Sequence, residues 1–176
     1  GASSVNGLSD ALIEDNSIYI GNDPSSSTDG AERNIALGKE ALESITTGDN
    51  NTAVGHDALK TNTTGSYNTA VGWRSLKSNI SGTSNTAVGI ESMINNTTGQ
   101  SNTGFGVQAL VHNITGDNNT TVGYFSGKTI TTGSNNVIMG YQANPSSASA
   151  SNQIVIGKGA TGHGDNIAVI GNGSAT

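Results

Sequence analysis

Proton transfer, metal capture and phosphate binding each need particular side chains gathered in one place, and this chain offers few of them. It has no cysteine, which excludes thiol nucleophiles, thiolate metal sites and disulfides. Its three histidines, His56, His112 and His163, are far apart in sequence, and nothing in their spacing brings them into a catalytic or metal-binding cluster. The stretch Gly157-Lys158-Gly159-Ala160-Thr161-Gly162 has the glycine content of a phosphate loop but lacks its Gly-Lys-Ser/Thr ending. Asp49 and Asp117 occupy equivalent positions, but Ser66, Thr83 and Gln100 stand between them at the same position. Two carboxylates that far apart do not form an acid–base pair. Asn62, Asn79, Asn96 and Asn113 open Asn-x-Thr/Ser triplets of the glycosylation type, yet their even spacing alone accounts for them. The expectation is a non-enzymatic protein with no catalytic residue, no metal site and no cofactor.

The residues that could make contacts are held by a strict period. Gly21, Gly38, Gly55, Gly72, Gly89, Gly106, Gly123, Gly140 and Gly157 follow one another at constant intervals of 17 residues, and only the step to Gly171 shortens, to 14. A fixed period without insertions is the mark of a solenoid, one backbone unit stacked on copies of itself. From Asn51 the unit reads Asn-Thr-Ala-Val-Gly-x-x-Ala-Leu-x-x-Asn-x-Thr-Gly-x-x. Asn34, Asn51, Asn68, Asn85, Asn102, Asn119 and Asn136 form one column, and stacked amides at about 4.8 Å can hydrogen-bond along the rod. Ile20, Leu37, Val54, Val71, Val88, Phe105, Val122, Met139 and Ile156 precede the glycine as an apolar, largely β-branched row suited to a strand. Small residues, Ala36, Ala53, Ala70 and Ala87, precede that row. At Gly104-Phe105 the small residue shrinks as the large one grows, which reads as volume compensation. A second apolar patch, including Ala41-Leu42, Ala58-Leu59 and Ala109-Leu110, and a second glycine column from Gly48 to Gly133 suggest two short strands and two glycine turns per coil.

Composition agrees with a rod rather than a globule. Only 32% of residues are hydrophobic and 11% charged, below ordinary globular values of about 45–50% and 25%. The net charge of −6 with seven Lys and Arg argues against nucleic acid, whose phosphates need basic clusters. No run of 18 apolar residues suggests membrane insertion. One coil buries too little apolar surface to offset the entropy of ordering it, so burial of the Val and Leu rows against further copies of the chain is expected. Three regions follow: a lead-in over 1–20, the regular repeats over 21–144, and looser coils over 145–176 that lead out to a downstream region.

Two columns are candidates for contact with other molecules. The position after the repeat glycine varies, as Lys39, His56, Trp73, Ile90, Val107, Tyr124 and Tyr141. Variation within a strict frame marks a solvent-facing position, and aromatics there suit sugar or protein contacts. Trp73, Tyr124, Phe125 and Tyr141 are the candidate receptor contacts, with packing between subunits as the competing role. Thr52, Thr69, Thr86, Thr103 and Thr120 form a flat threonine row of the kind an ice-binding solenoid uses. Strand alternation puts this row on the same face as the Val row, and burial of that face would keep ice away.

The pentads Asn51-Thr52-Ala53-Val54-Gly55, Asn68-Thr69-Ala70-Val71-Gly72 and Asn85-Thr86-Ala87-Val88-Gly89 resemble the repeats of trimeric autotransporter adhesin heads, the YadA-like head. Asp165-Asn166-Ile167-Ala168-Val169-Ile170-Gly171 resembles that family's shorter unit more closely. The 17-residue form is similar to repeats in phage tail-fibre-like proteins, as is the opening Gly7-Leu8-Ser9-Asp10-Ala11-Leu12-Ile13-Glu14-Asp15-Asn16-Ser17-Ile18-Tyr19-Ile20-Gly21. The resemblance implies an all-β, left-handed parallel β-roll of about ten coils. It further implies an intertwined or side-by-side homotrimer on a virion tail fibre or bacterial cell surface, engaged in host or surface attachment through a glycan or protein receptor.

Overall fold

A computed structural model describes residues 11–14, 16–21 and 30–172. Residues 1–10, with much of the lead-in, and 173–176 at the exit lie outside the described residues. One sheet runs the length of the molecule, its strands in sequence order. They are β1 (Ala11–Glu14), β2 (Ser17–Ile20), β3 (Ile35–Leu37), β4 (Thr52–Val54), β5 (Thr69–Val71), β6 (Thr86–Val88), β7 (Thr103–Phe105), β8 (Thr120–Val122), β9 (Val137–Met139), β10 (Ile154–Ile156) and β11 (Ala168–Ile170). From β2 onward every pairing is parallel, and equivalent residues face one another, as in Thr52↔Thr69, Ala53↔Ala70 and Val54↔Val71. The last pairing, Ile154↔Ala168, absorbs the 14-residue step without loss of register. β1 is antiparallel to β2 and covers the first edge of the sheet. The molecule is thus a parallel β-solenoid with a repeat of 17 residues.

Glycine sets the coil geometry at two corners. Gly55 ends β4 at φ +133°, and a Cβ built on it would lie 2.5 Å from the carbonyl oxygen of Gly72 one coil on. Both the backbone angle and the space exclude other residues. At the second corner a Cβ on Gly82 would lie 2.5 Å from the Gly99 carbonyl oxygen.

The arc between the corners is not a second strand, contrary to the expectation of two per coil. Asp57 (φ 61°) and Leu59 (φ 51°) are in the left-handed region, as are Arg74, Leu76, Glu91 and Met93 in the next two coils. Ala58 N–H donates back to the Gly55 carbonyl at 3.2 Å and Asn62 N–H to the Leu59 carbonyl at 3.1 Å, while Leu59 N–H reaches forward to Ser75 O at 3.1 Å. Turn-like bonds within a coil therefore alternate with bonds between coils. Each left-handed non-glycine residue costs of order 1 kcal/mol, and it persists because the coils above and below hold the same angle.

The interior is narrow and its two sides trade volume. Ala53, Ala70 and Ala87 point inward from the sheet and are fully buried opposite Leu59, Leu76 and Met93, which are buried too. Where the leucine position becomes Asn144, half-buried, and Thr161, exposed, Ala143 and Ala160 of that arc stay buried, and the inward strand residues grow to Ile138 and Val155. At Gly127 a Cβ would lie 2.7 Å from Thr121 Cγ2. The compensation expected between Gly104 and Phe105 is instead between Gly104 and Met93. A Cβ on Gly104 would meet Met93 Cγ at 2.9 Å, whereas Phe105 faces outward. The Leu row, expected between chains, is buried within its own chain.

Two amide ladders flank this apolar strip. In the first, Asn51 Nδ2 donates to Asn34 Oδ1 at 3.1 Å and to Gly65 O at 2.9 Å, and Asn51 N–H donates to the same Asn34 Oδ1 at 2.9 Å. The pattern continues to Asn136, with Ser17 and Gln153 taking the two end places. The second ladder is Asn62, Asn79, Asn96 and Asn113, linked Nδ2 to Oδ1 at 2.8 Å, each step identical. Ile45 and Ile130, both fully buried, occupy the places before and after it, so Asn113 Oδ1 has no donor above it.

These ladders satisfy backbone groups that would otherwise be stranded in the interior. Asn85→Ala removes one of the two side-chain donors to Gly99 O, Asn96 Nδ2 being the other, and the acceptor of Asn102 N–H. Its expected cost is about 1–3 kcal/mol in denaturant unfolding, against less than about 0.5 kcal/mol for Ser81→Ala on the exposed side.

Candidate functional surfaces

Among the described residues no ligand-sized pocket opens, no three metal-ligating side chains converge, and no helix is long and apolar enough to cross a membrane. The outer faces are what this fold presents.

The strands put every second residue outward. The outward rows are Ile18, Ile35, Thr52, Thr69, Thr86, Thr103, Thr120, Val137, Ile154 and Ala168, and beside them Ile20, Leu37, Val54, Val71, Val88, Phe105, Val122, Met139, Ile156 and Ile170. Neither row contains a charged residue on any rung. The central Thr and Val residues are half-buried, whereas Leu37 is 49% and Phe105 55% exposed. Thr52, Thr69, Thr86, Thr103 and Thr120 share the Val face, as strand alternation predicts.

Around the glycine corner lies the variable column, whose aromatic and aliphatic members are exposed. Tyr124 and Tyr141, on neighbouring coils, stack with centroids 5.4 Å apart and planes 13° apart, and Phe125 meets Tyr124 edge-on at 4.5 Å. Lys128 Nζ is 5.5 Å from the Phe125 ring. Trp73 is three coils away and is covered on one face by the Arg74 guanidinium, 4.2 Å from its centroid. The four candidate contacts thus form one cluster and one isolated ring.

The adjoining arc carries charge in the N-terminal coils. Lys77 Nζ donates to Asp57 Oδ2 at 2.7 Å, with Arg74 Nε 3.5 Å from the same oxygen, and Arg74 continues to Glu91 at 3.8 Å. Lys60 bridges Glu40 and Glu43 from the coil before. The hydrogen bond from Lys60 holds the Glu40 carboxyl below its usual range. Burial pushes the Asp57 carboxyl up, but the Lys77 hydrogen bond and the surrounding charges outweigh it, and the net direction is down. This network is not among the features expected from the sequence. Its signal is an acid followed 20 residues later by lysine, one coil plus three, at Glu40/Lys60 and Asp57/Lys77.

The other expected positions serve the stack. Asp49 Oδ1 accepts Glu32 N–H at 2.8 Å, and Asp117 Oδ1 accepts Gln100 N–H at 2.7 Å. The N–H groups of Gly157, Gly159 and Gly162 all donate to the preceding coil at 2.8 Å, so none is free to receive a phosphate. Asn62, Asn79, Asn96 and Asn113 are fully buried, which keeps their amides from glycosyl transfer. The ring of His112 lies 3.4 Å from Asn95 Nδ2, and His56 lies 3.2 Å from Asp57.

The chain matches no family model, no curated protein and no solved structure.

Glu40, Asp57 and Asp165, the last held down by Ser151 N–H and Gln153, share one linkage sign. A carboxyl depressed in the folded state adds stability that is complete above its unfolded pKa, about 4, and is lost as pH falls through the folded value. The thermal midpoint is therefore expected to hold constant from pH 7 to about pH 5 and to fall below about pH 4. Lys60→Met should flatten that acid limb.

Proposed function

We propose that this chain is a non-catalytic structural and adhesive segment of a homotrimeric surface fibre, of the phage tail-fibre or bacterial adhesin kind, acting outside the cell in host or surface attachment. One observation carries the reading: the open sheet face, uncharged on every rung and bordered by exposed Ile35, Leu37, Phe105, Met139 and Ile154. Continuous apolar strips of this length mark an interaction surface. A partner that fits all rungs at once must share the axial spacing of about 4.8 Å, and a second copy of the chain has that spacing by construction. The likeness of the Asn-Thr-Ala-Val-Gly pentads to adhesin-head repeats supports three copies and a left-handed coil. Light scattering is expected to give about three times the chain mass of 17.6 kDa. Val71→Asp should dissociate or unfold the assembly, because each copy would bury an unpaired carboxylate. A folded monomer at micromolar concentration would overturn the reading.

In the trimer the variable column lies beside the seam, and Tyr124, Phe125 and Tyr141, with Trp73 further along the rod, form the receptor contact for a surface glycan or protein. Three weak sites on one particle gain affinity by avidity. Replacing Trp73, Tyr124 and Tyr141 together by alanine should lower retention on host cells or glycan arrays at least tenfold with the trimer mass unchanged. Equal retention would remove these rings from the contact surface.

A second reading rests on the same face. Thr52, Thr69, Thr86, Thr103 and Thr120 are in register and only half-buried in the single chain, as an ice-binding row requires. A monomer with thermal hysteresis, lost in Thr86→Leu, would establish it in place of the fibre.

A further inference from the structure

The outward rows that suit a second copy also create an ambiguity. β4, β5 and β6 carry the same three residues, Thr-Ala-Val. Two copies displaced by one coil would still set Val54 and Val71 against Val71 and Val88, and Thr52, Thr69, Thr86 and Thr103 against Thr69, Thr86, Thr103 and Thr120. Over those central rungs a slip leaves the facing side chains unchanged, and slipped assemblies would compete with the aligned one.

One residue in the middle of the regular stack breaks the uniformity. Phe105 stands in the Val row between Val88 and Val122 and is 55% exposed where they are half-buried. Its own core does not call for the ring, since the inward neighbour Gly104 is the residue fitted around Met93. A phenyl group is much larger than the isopropyl group of valine, so a copy slipped by one coil would place it against valine rungs and hold the seam open on either side.

Resting on the trimeric reading, we propose that Phe105 is an axial key: the rings of the three copies meet at one height and fix the copies in register. The partner is the same residue on the other copies, and the specificity lies in position along the rod rather than in chemistry.

The test is methyl NMR of the intact chain, with solution mass measured in parallel. A trimer in register is threefold symmetric and gives one set of valine methyl signals, whereas slipped trimers give several. The wild type is expected to show one set, Phe105→Val several sets at unchanged trimer mass, and Val88→Phe/Phe105→Val, with the key moved one coil, one set again. A Phe105→Val trimer with a single set would overturn the key, as would failure of the moved ring to restore one. Dissociation of Phe105→Val to monomers would also overturn it, because the ring would then supply affinity rather than alignment. A monomeric wild type would instead remove the trimeric reading on which the key rests.

Discussion

Everything in this rod follows from the close approach of backbone to backbone at its two glycine corners. With no room for a Cβ between Gly55 and the Gly72 carbonyl, or between Gly82 and the Gly99 carbonyl, consecutive coils stack at strand spacing around their circumference and not only along the sheet. An insertion in any coil would lift a corner and break inter-coil bonds on either side of it. The constant period is the sequence record of that intolerance. Substitution is free only where side chains leave the stack, as in the column from Lys39 to Tyr141.

Close stacking leaves an interior one or two side chains wide, and polar groups share it. Buried asparagines do what a wider core would do with helices or a second sheet, giving the inward carbonyls of Gly65, Gly82 and Gly99 their donors. A missed partner there is costly because the site is dry, so asparagine runs unbroken from Asn34 to Asn136. The apolar strip between the ladders is adjusted coil by coil: alanine faces leucine, and isoleucine or valine faces a smaller residue. This local fitting keeps the cross-section uniform although the sequence is not.

What could be read in advance follows the same physics. The period, the parallel stack, the first amide ladder and the outward direction of the variable column are properties of columns, and columns are visible in a sequence. The side on which a column lies is harder to see. Leu59 and Val54 are equally apolar, yet the left-handed backbone at Leu59 turns it into the core while Val54 stands outward. No propensity predicts leucine at positive φ, so the apolar pattern of the arc reads as a strand in the sequence. Asn62, Asn79, Asn96 and Asn113 showed a glycosylation pattern, and their interlinked amides became visible only with the coil closed. The Lys60 and Lys77 bridges were hidden because they join one coil to the next at a diagonal. Of the candidate contacts, Tyr124 and Tyr141 meet because they share a column on neighbouring coils and Phe125 because its column is adjacent, whereas Trp73 stands in the same column three coils away.

The two asparagine ladders also give the rod an electrical direction. In both, the side-chain N–H points to the preceding coil and the C=O to the following one, from Asn51 back to Asn34 and from Asn79 back to Asn62. Amide dipoles aligned head to tail add, as they do along a helix axis. Their positive pole lies at the N-terminal coils, where Glu32, Glu40, Glu43, Asp49 and Asp57 are gathered. The coils beyond Glu91 carry only Asp117 and Asp165 as acids. A stack of nearly identical units is therefore polar from end to end, and its two ends present different fields to whatever they meet.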